Sequence, residues 1–316
     1  MGALYAVTLG FDLVYEDRHV LPVTNAAASF VRGAIYLSFW LTGSGWVAHA
    51  GNIALHLAVG GVVYGIARTV LGDRQAPWAA LAAAVVWIHP LQVESVAYLQ
   101  GRGDQLIALS ALVAIWALIQ PVVRPWHWGL VCAGVAVSLW TKEFGFTTLL
   151  IVVWTIWCRR AHRLGDASTT GVLAVAVLST WWAIDRASDQ ILDRAWLSGV
   201  SLWEYAGWQA VAWWQMIGLG TVWPFRLSVV YDVQSTPGLV SVAAVLGLWA
   251  LVVVAGRTCR TVAGWALGVA LLSVLPRFLL RQEELLHEKH LYLAVAALGI
   301  AAAAIVANAS DKDGPP

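Results

Sequence analysis

The sequence predicts an all-α, polytopic bundle of transmembrane helices, with about ten spans and one or two further helices lying at the membrane interface. Three observations carry that prediction. Hydrophobic residues make up 60% of the 316 positions and charged residues 12%, and the mean hydropathy is +0.72; a soluble chain of this length needs far more charge. The apolar residues fall in long runs parted by short polar connections. Twenty tryptophans cluster near the ends of those runs, where an indole suits the membrane–water boundary. The net charge of +1 argues against nucleic acid as a partner. Cys132, Cys158 and Cys259 stand in or beside apolar runs, without the spacing of a zinc site or a disulfide framework. Nothing resembles a cleavable signal peptide.

Taken in order, residues 1–9 are apolar but too short for ~30 Å of hydrocarbon at ~1.5 Å per residue. A first helix therefore either runs on towards Tyr15 or belongs to a longer N-terminus. The polar loop 12–25 follows, holding Glu16, Asp17, Arg18 and His19. Residues 30–41 are short and mixed, and are expected to lie at the interface. Spanning helices are expected over 48–70, 76–89, 104–120, 125–141, 143–158, 170–185, 238–256, 262–276 and 290–308. The segment 203–223 is long enough to span but carries Trp203, Trp208, Trp213, Trp214 and Trp223. It is expected to be re-entrant or to lie at the interface. One domain covers 1–308, and 309–316 is a disordered polar tail.

The connections 68–75, 121–125, 158–166 and 256–261 hold Arg68, Arg74, Arg124, Arg159, Arg160, Arg163, Arg257 and Arg260, with Asp73 and Asp166 as their only acids. The bias of short basic loops towards the cytoplasm puts these inside. Alternation then sends the remaining polar clusters to the extracytoplasmic side of the cell membrane.

Those clusters are unusually rich in ionisable groups. The stretch from His89 to Asp104 holds Glu94, Tyr98 and Arg102 as well. Pro90 disfavours helix at His89, so one helix ends there and another starts at Pro90, with Glu94 and Tyr98 on one face. Gly101 and Gly103 permit a sharp turn, and Asp104 is placed to cap the next helix. His49, Asn52 and His56 form a polar stripe that should face the bundle interior. Lys142 and Glu143 are adjacent and cannot pair across a helix turn, so each needs another partner. Glu288 suits the first turn of the last helix, but Lys289 does not and calls for an anion. The Glu16-Asp17 pair offers a general base for a hydroxyl, or a seat for a divalent cation.

Singly, each cluster has a bland account: a capped turn, interhelical hydrogen bonds, snorkelling side chains, a solvated loop. Together they put carboxylates and cations on one end of one bundle. That is the composition of a site where a hydroxyl loses its proton while a phosphate leaves.

Six motifs, in order, resemble the membrane portion of the transmembrane-and-TPR protein O-mannosyltransferases and their bacterial relatives, in the GT-C glycosyltransferase superfamily. They are Val14-Tyr15-Glu16-Asp17-Arg18 with Asn25; Arg32 with Leu37-Ser38-Phe39; His49, Asn52 and Leu55-His56; His89-Pro90 through Glu94-Ser95-Val96-Ala97 to Gly101-Arg102-Gly103-Asp104; Thr141-Lys142-Glu143; and Glu288-Lys289-His290-Leu291-Tyr292-Leu293. The sequence departs from the family pattern at Glu16, where Asp is usual, at Gly33 for Pro, and at Lys289 for Arg. The resemblance implies a GT-C fold and transfer of a mannose-like sugar from a polyprenyl-phosphate donor to an acceptor hydroxyl on a protein or glycan. It implies Asp17 as base with Glu16 beside it, and Arg102, Lys142 and Lys289 on the lipid phosphate. Glu94, Asp104 and Glu143 would position these or the sugar, with His89, His49, Asn52, Glu288 and Tyr292 completing the site. The rival reading is a non-catalytic carrier or scaffold for lipid-linked sugars.

Overall fold

The structure, a computed structural model, describes residues 33–43, 45–159, 200–222, 238–279 and 287–312. All regular structure among them is helical. In chain order the helices are α1 Gly33–Thr42, α2 Trp46–Leu71, α3 Ala76–Ile88, α4 Val93–Ala97, α5 Arg102–Leu118, α6 Pro125–Thr141, α7 Phe146–Arg159, α8 Leu202–Val222, α9 Gly238–Thr258, α10 Val262–Leu279 and α11 Tyr292–Lys312. The predicted boundaries of α6 coincide with the observed ones, and those of α2, α3 and α9 agree within two residues. The expected first helix, the loop with Glu16 and Asp17, the helix 170–185, the connections 185–194 and 224–237 and the last tail residues lie outside the described residues.

Among the described residues, four helical stretches are long and apolar enough to cross a membrane: Trp46–Leu71, Leu99–Leu118, Gly238–Thr258 and Glu288–Asp311. A fifth is a pair, Asp73–Ile88 and Pro90–Ala97, bent by 54° at His89. Among the described residues, length and composition thus account for four or five of the about ten spans expected; α6, α7 and α10 are shorter than a full span.

Small residues set how closely the helices pack. α3 and α11 are rich in alanine, which lets backbones approach. A Cβ added at Gly134 of α6 would fall 2.6 Å from the Ser110 carbonyl oxygen of α5. Elsewhere a glycine makes room for an indole: Trp87 lies over Gly60 and Trp154 over Gly268. The main core gathers residues such as Val63, Leu112, Trp213, Val269 and Ala297 from α2, α5, α8, α10 and α11. The spans ending in α5 and α11 are each 72% buried, whereas α9 is 11% buried and turns an apolar surface outward. α9 is therefore the helix most suited to face lipid.

α8 was expected to be re-entrant or flat at the interface. It follows α9 in the same direction: Gly207 packs near Ser241, Trp214 near Gly247, and the Trp214 indole donates to the Ala244 carbonyl. Two buried rings, Tyr205 and Trp213, tie it to the bundle. Trp213 and Trp214 thus serve packing.

Helices that meet in antiparallel pairs give the bundle two distinct ends. Arg68, Arg74, Arg124, Arg159, Arg257 and Arg260 gather at one, with the Gln75–Asp311 hydrogen bond. The N-terminal ends of α2, α5, α7 and α11 and the C-terminal ends of α3, α6 and α10 meet at the other.

Candidate functional site

The second end holds the polar groups. Pro90 does end α3 at His89, whose Nδ1 accepts the Leu91 N–H. The chain beyond is not one helix from Pro90. It is a 3-10 turn Pro90–Gln92, the short helix α4 and a second 3-10 turn Leu99–Gly101. Tyr98 is extended, so Glu94 and Tyr98 do not share a helix face as expected. Gly101 is required by close approach, since a Cβ there would lie 2.5 Å from the Ser95 carbonyl oxygen. α5 starts at Arg102, so Asp104 sits in its first turn and is not the cap.

Three polar networks form from these elements. In the first, Arg102 is fully buried. Its Nε donates to Asn52 Oδ1 at 2.7 Å, Nη1 to Thr42 Oγ1 at 2.8 Å and Ser38 Oγ at 3.5 Å, and Nη2 to the Ala48 carbonyl. The Phe39 ring lies 4.1 Å from the guanidinium carbon. Asn52 in turn donates to the carbonyls of Val96 and Tyr98. The described partners of this cation are neutral, and together they fasten α1, α2 and the turn before α5. The guanidinium is engaged by these groups of the fold.

The second network clamps the 89–101 stretch to the start of α11. Glu94 Oε2 accepts the Lys289 N–H at 3.0 Å, while Oε1 lies 3.7 Å from Lys289 Nζ and 3.6 Å from His287 Nδ1. Ser95 Oγ donates to the Lys289 carbonyl and Gln92 Nε2 to the Tyr292 carbonyl. The Tyr292 hydroxyl meets His56 Nδ1 at 2.6 Å. The stripe His49, Asn52 and His56 is buried, as its spacing predicted. Glu288 is buried in the turn Glu288–Leu291.

The third network centres on Asp104. Lys142, in the connection between α6 and α7, donates to Asp104 Oδ2 at 2.8 Å. Burial pushes the Lys142 ammonium below the ordinary lysine range; Asp104 pulls it back up, and the charges of Arg277 and Lys289 push it down again. Glu143, next in sequence, opens a 3-10 turn. A cavity of about 30 Å³ beside Asp104 is walled by Phe144, Arg277, Lys289, His290 and Tyr292. Arg277, from the last turn of α10, is buried and stacks 3.7 Å over the Phe144 ring. Sequence reasoning passed over it; a lone arginine directly after Pro276 in an apolar run was the available signal.

The structure thus brings together Glu94, Arg102, Asp104, Lys142, Lys289, His89, His49, Asn52, Glu288 and Tyr292 at one end. Glu16 and Asp17 lie outside the described residues. Among the described residues no three His, Cys, Asp or Glu side chains gather to hold a metal ion.

This is a membrane protein of all-helical class with a buried polar site at one end of its bundle. It is similar to protein O-mannosyl-transferase TMTC2 of Homo sapiens, with 30% identity covering 47% of this chain and 22% of the human protein. The Tmtc2 protein of Drosophila melanogaster matches at 28% identity, over 47% of this chain and 20% of its own. The match thus spans about a fifth of the length of these curated relatives. They support the resemblance to the transmembrane-and-TPR O-mannosyltransferases that the motifs carry. No protein-family model matches the chain, and no solved structure does.

Proposed function

We propose that the chain is the multi-pass, GT-C-type membrane portion of a glycosyltransferase that moves a mannose-like sugar from a polyprenyl-phosphate donor to a protein Ser/Thr hydroxyl on the extracytoplasmic side. The observation that carries this reading is the convergence of Asp104, Arg277 and Lys289 around one cavity, with Lys142 bound to Asp104, in a chain whose relatives are named protein O-mannosyl-transferases. The acceptor oxygen attacks the anomeric carbon, its proton passes to the Asp17 carboxylate, and the bond from that carbon to the phosphate oxygen breaks. Polyprenyl phosphate leaves with the electron pair. Cations near the phosphate stabilise the charge that grows on it, which is where preorganised electrostatics helps most. Lys142 and Lys289 serve that role, with Asp104 and Glu94 positioning them. Arg102 acts as a positioning residue through α2 and α5.

The test is transfer by purified protein from a polyprenyl-phosphate sugar to a Ser/Thr peptide. Asp17→Asn keeps the shape of the side chain but cannot take a proton, so turnover should fall by ~10²–10⁴ with donor binding nearly unchanged. Wild-type rates in that variant would remove Asp17 from the mechanism. Donor binding without transfer by the wild type would favour the carrier.

A further inference from the structure

We propose that Cys158 and Cys259 form a redox-active dithiol, a modification site that a small disulfide such as oxidised glutathione converts into an intramolecular disulfide. The site lies at the arginine-bearing end of the bundle and does not depend on the glycosyltransferase reading.

No motif joins the two cysteines in the sequence; packing does. Cys158 is one residue from the end of α7 and only 4% exposed. Cys259 stands in the turn between α9 and α10, half-buried against the core that contains Cys158. Its thiol is a hydrogen-bonding neighbour of the Cys158 thiol. Cys132, by contrast, is exposed on α6.

The fold holds both positions in place. The Thr261 N–H and the Thr261 hydroxyl each donate to the Thr258 carbonyl at 2.8 Å, which closes the turn around Cys259. Gly264 then brings α10 back so closely that a Cβ there would overlap that same carbonyl oxygen. On the other side, two indoles tie α7 to α10. Trp154 donates to the Trp265 carbonyl at 2.9 Å, and Trp265 donates to Thr155 Oγ1 at 3.1 Å. Arg159, next to Cys158, lies 5.0 Å over the Trp265 ring. Two thiols fixed side by side have little freedom left to lose, so the intramolecular bond is favoured over a lasting mixed disulfide.

Exposure sets the order of events. A reagent arriving from water meets Cys259 first, because Cys158 is sealed. The Cys259 thiolate attacks one sulfur of the small disulfide, forming a mixed disulfide and releasing one small thiolate. Cys158 then gives up its proton and attacks the Cys259 sulfur, and the second small thiolate leaves. Two protein thiols are oxidised, one small disulfide is reduced to two thiols, and the two protons pass to those products. Arg159 supplies a counter-charge for this exchange: its Nε and Nη2 are buried without a hydrogen-bond partner among the described residues, and its charge acts on Cys158. Once formed, the bond ties α7 to the turn that starts α10. The opposite ends of these two helices bring Phe144 and Arg277 together at the polar site.

The experiment uses the full chain in lipid nanodiscs, with Cys132→Ser to leave only the pair, and oxidised glutathione as the probe. After acid quenching and denaturation, a polyethylene-glycol maleimide counts the remaining thiols by gel shift, and unreduced peptides are mapped by mass spectrometry. Both thiols should be lost together, with a linked Cys158–Cys259 peptide that a reductant releases. Cys158→Ser should stop at a glutathione adduct on Cys259, and Cys259→Ser should leave Cys158 reduced. A lasting adduct on Cys259 with Cys158 free in the two-cysteine chain would overturn the proposal, as would two thiols that stay free throughout. Equal linking in chain denatured before oxidation would also overturn it, because the fold would then contribute nothing to the pairing.

Discussion

Lys142 Nζ lies 2.8 Å from Asp104 Oδ2 in a site that leaves only 10% and 11% of the two side chains exposed. The pair joins the end of α6 to the first turn of α5. Asp104→Asn would leave the lysine charged and buried beside Arg277 and Lys289, a change that typically costs ~3–5 kcal/mol. The pH dependence has a definite sign. Burial holds the folded-state pKa of Lys142 below its unfolded value of about 10.4, so the folded state binds fewer protons than the unfolded one between the two values. Stability should be recovered as pH rises through the folded pKa towards about 10.4, and lost as pH falls through it. With Asp104→Asn the upward pull of the carboxylate is gone and that window widens. Unfolding in denaturant across pH 7–10 (roughly the range below the unfolded pKa) should therefore show the deficit of Asp104→Asn shrinking with pH, and a constant deficit would contradict the assignment.

Arg102 should behave as a structural cation. Arg102→Lys cannot reach Asn52, Thr42 and the Ala48 carbonyl at once, because it lacks the planar fork that serves them. Leaving these buried acceptors short should cost ~1–3 kcal/mol each where no water replaces the donor. Hydrogen exchange should accelerate over residues 46–56, while donor affinity of the folded fraction changes far less than stability. A selective loss of donor affinity at full stability would return Arg102 to the phosphate.

Much of this was legible from the chain. The helix over 125–141 has Pro125 at its first position and Lys142 just past its end, so local rules set both boundaries. The stripe of His49, Asn52 and His56 forecast its own burial, since polar groups on an apolar helix must turn inward. What local rules could not show is which charges meet. Lys142 and Asp104 are 38 positions apart, and Glu94 and Lys289 are 195 apart. Their pairing is fixed by helix packing, which a single sequence does not display. The same limit hid Arg277. It also misled the reading of 89–104, where the proline and glycines suggested a turn and a helix, and tertiary contacts imposed two 3-10 turns around a five-residue helix.

Close helix approach makes a contrasting pair of glycine substitutions informative. Gly134→Ala would push a methyl to within 2.6 Å of the Ser110 carbonyl oxygen, so α5 and α6 would have to separate. Overpacking of this kind costs ~1–3 kcal/mol. Gly61→Ala, also in a helix interior, meets nothing within 4 Å and should be neutral or gain up to ~1 kcal/mol from helix propensity. Thermal unfolding of both in the same detergent would check this, and equal effects would mean that α5 and α6 do not cross so closely.

The two ends of the bundle predict a labelling pattern. In a background with Cys132, Cys158 and Cys259 replaced, cysteines introduced at Val93 and Val122 occupy opposite ends and exposed positions. A membrane-impermeant thiol reagent applied from one side should modify only one of them. Modification of both from the same side would dissolve the division between the arginine-bearing end and the polar site, and with it the proposed orientation.

Glu94 gives the sharpest separation of charge from shape. Its Oε2 accepts the Lys289 backbone N–H, and its Oε1 faces Lys289 Nζ and His287. Glu94→Gln retains an oxygen for the backbone N–H, so the clamp between α4 and the start of α11 should persist, with stability changed by less than about 1 kcal/mol. The loss of negative charge frees Lys289 for an anion, and polyprenyl phosphate binding should stay equal or tighten. Glu94→Ala removes the acceptor as well and leaves a buried N–H short, at ~1–3 kcal/mol, so stability and binding should fall together as Lys289 loses its position. Parallel unfolding and lipid-phosphate titrations of the two variants are enough to decide. Should Glu94→Gln weaken phosphate binding as much as Glu94→Ala, the carboxylate charge itself would be needed, and Lys289 would then be serving Glu94 and not the donor.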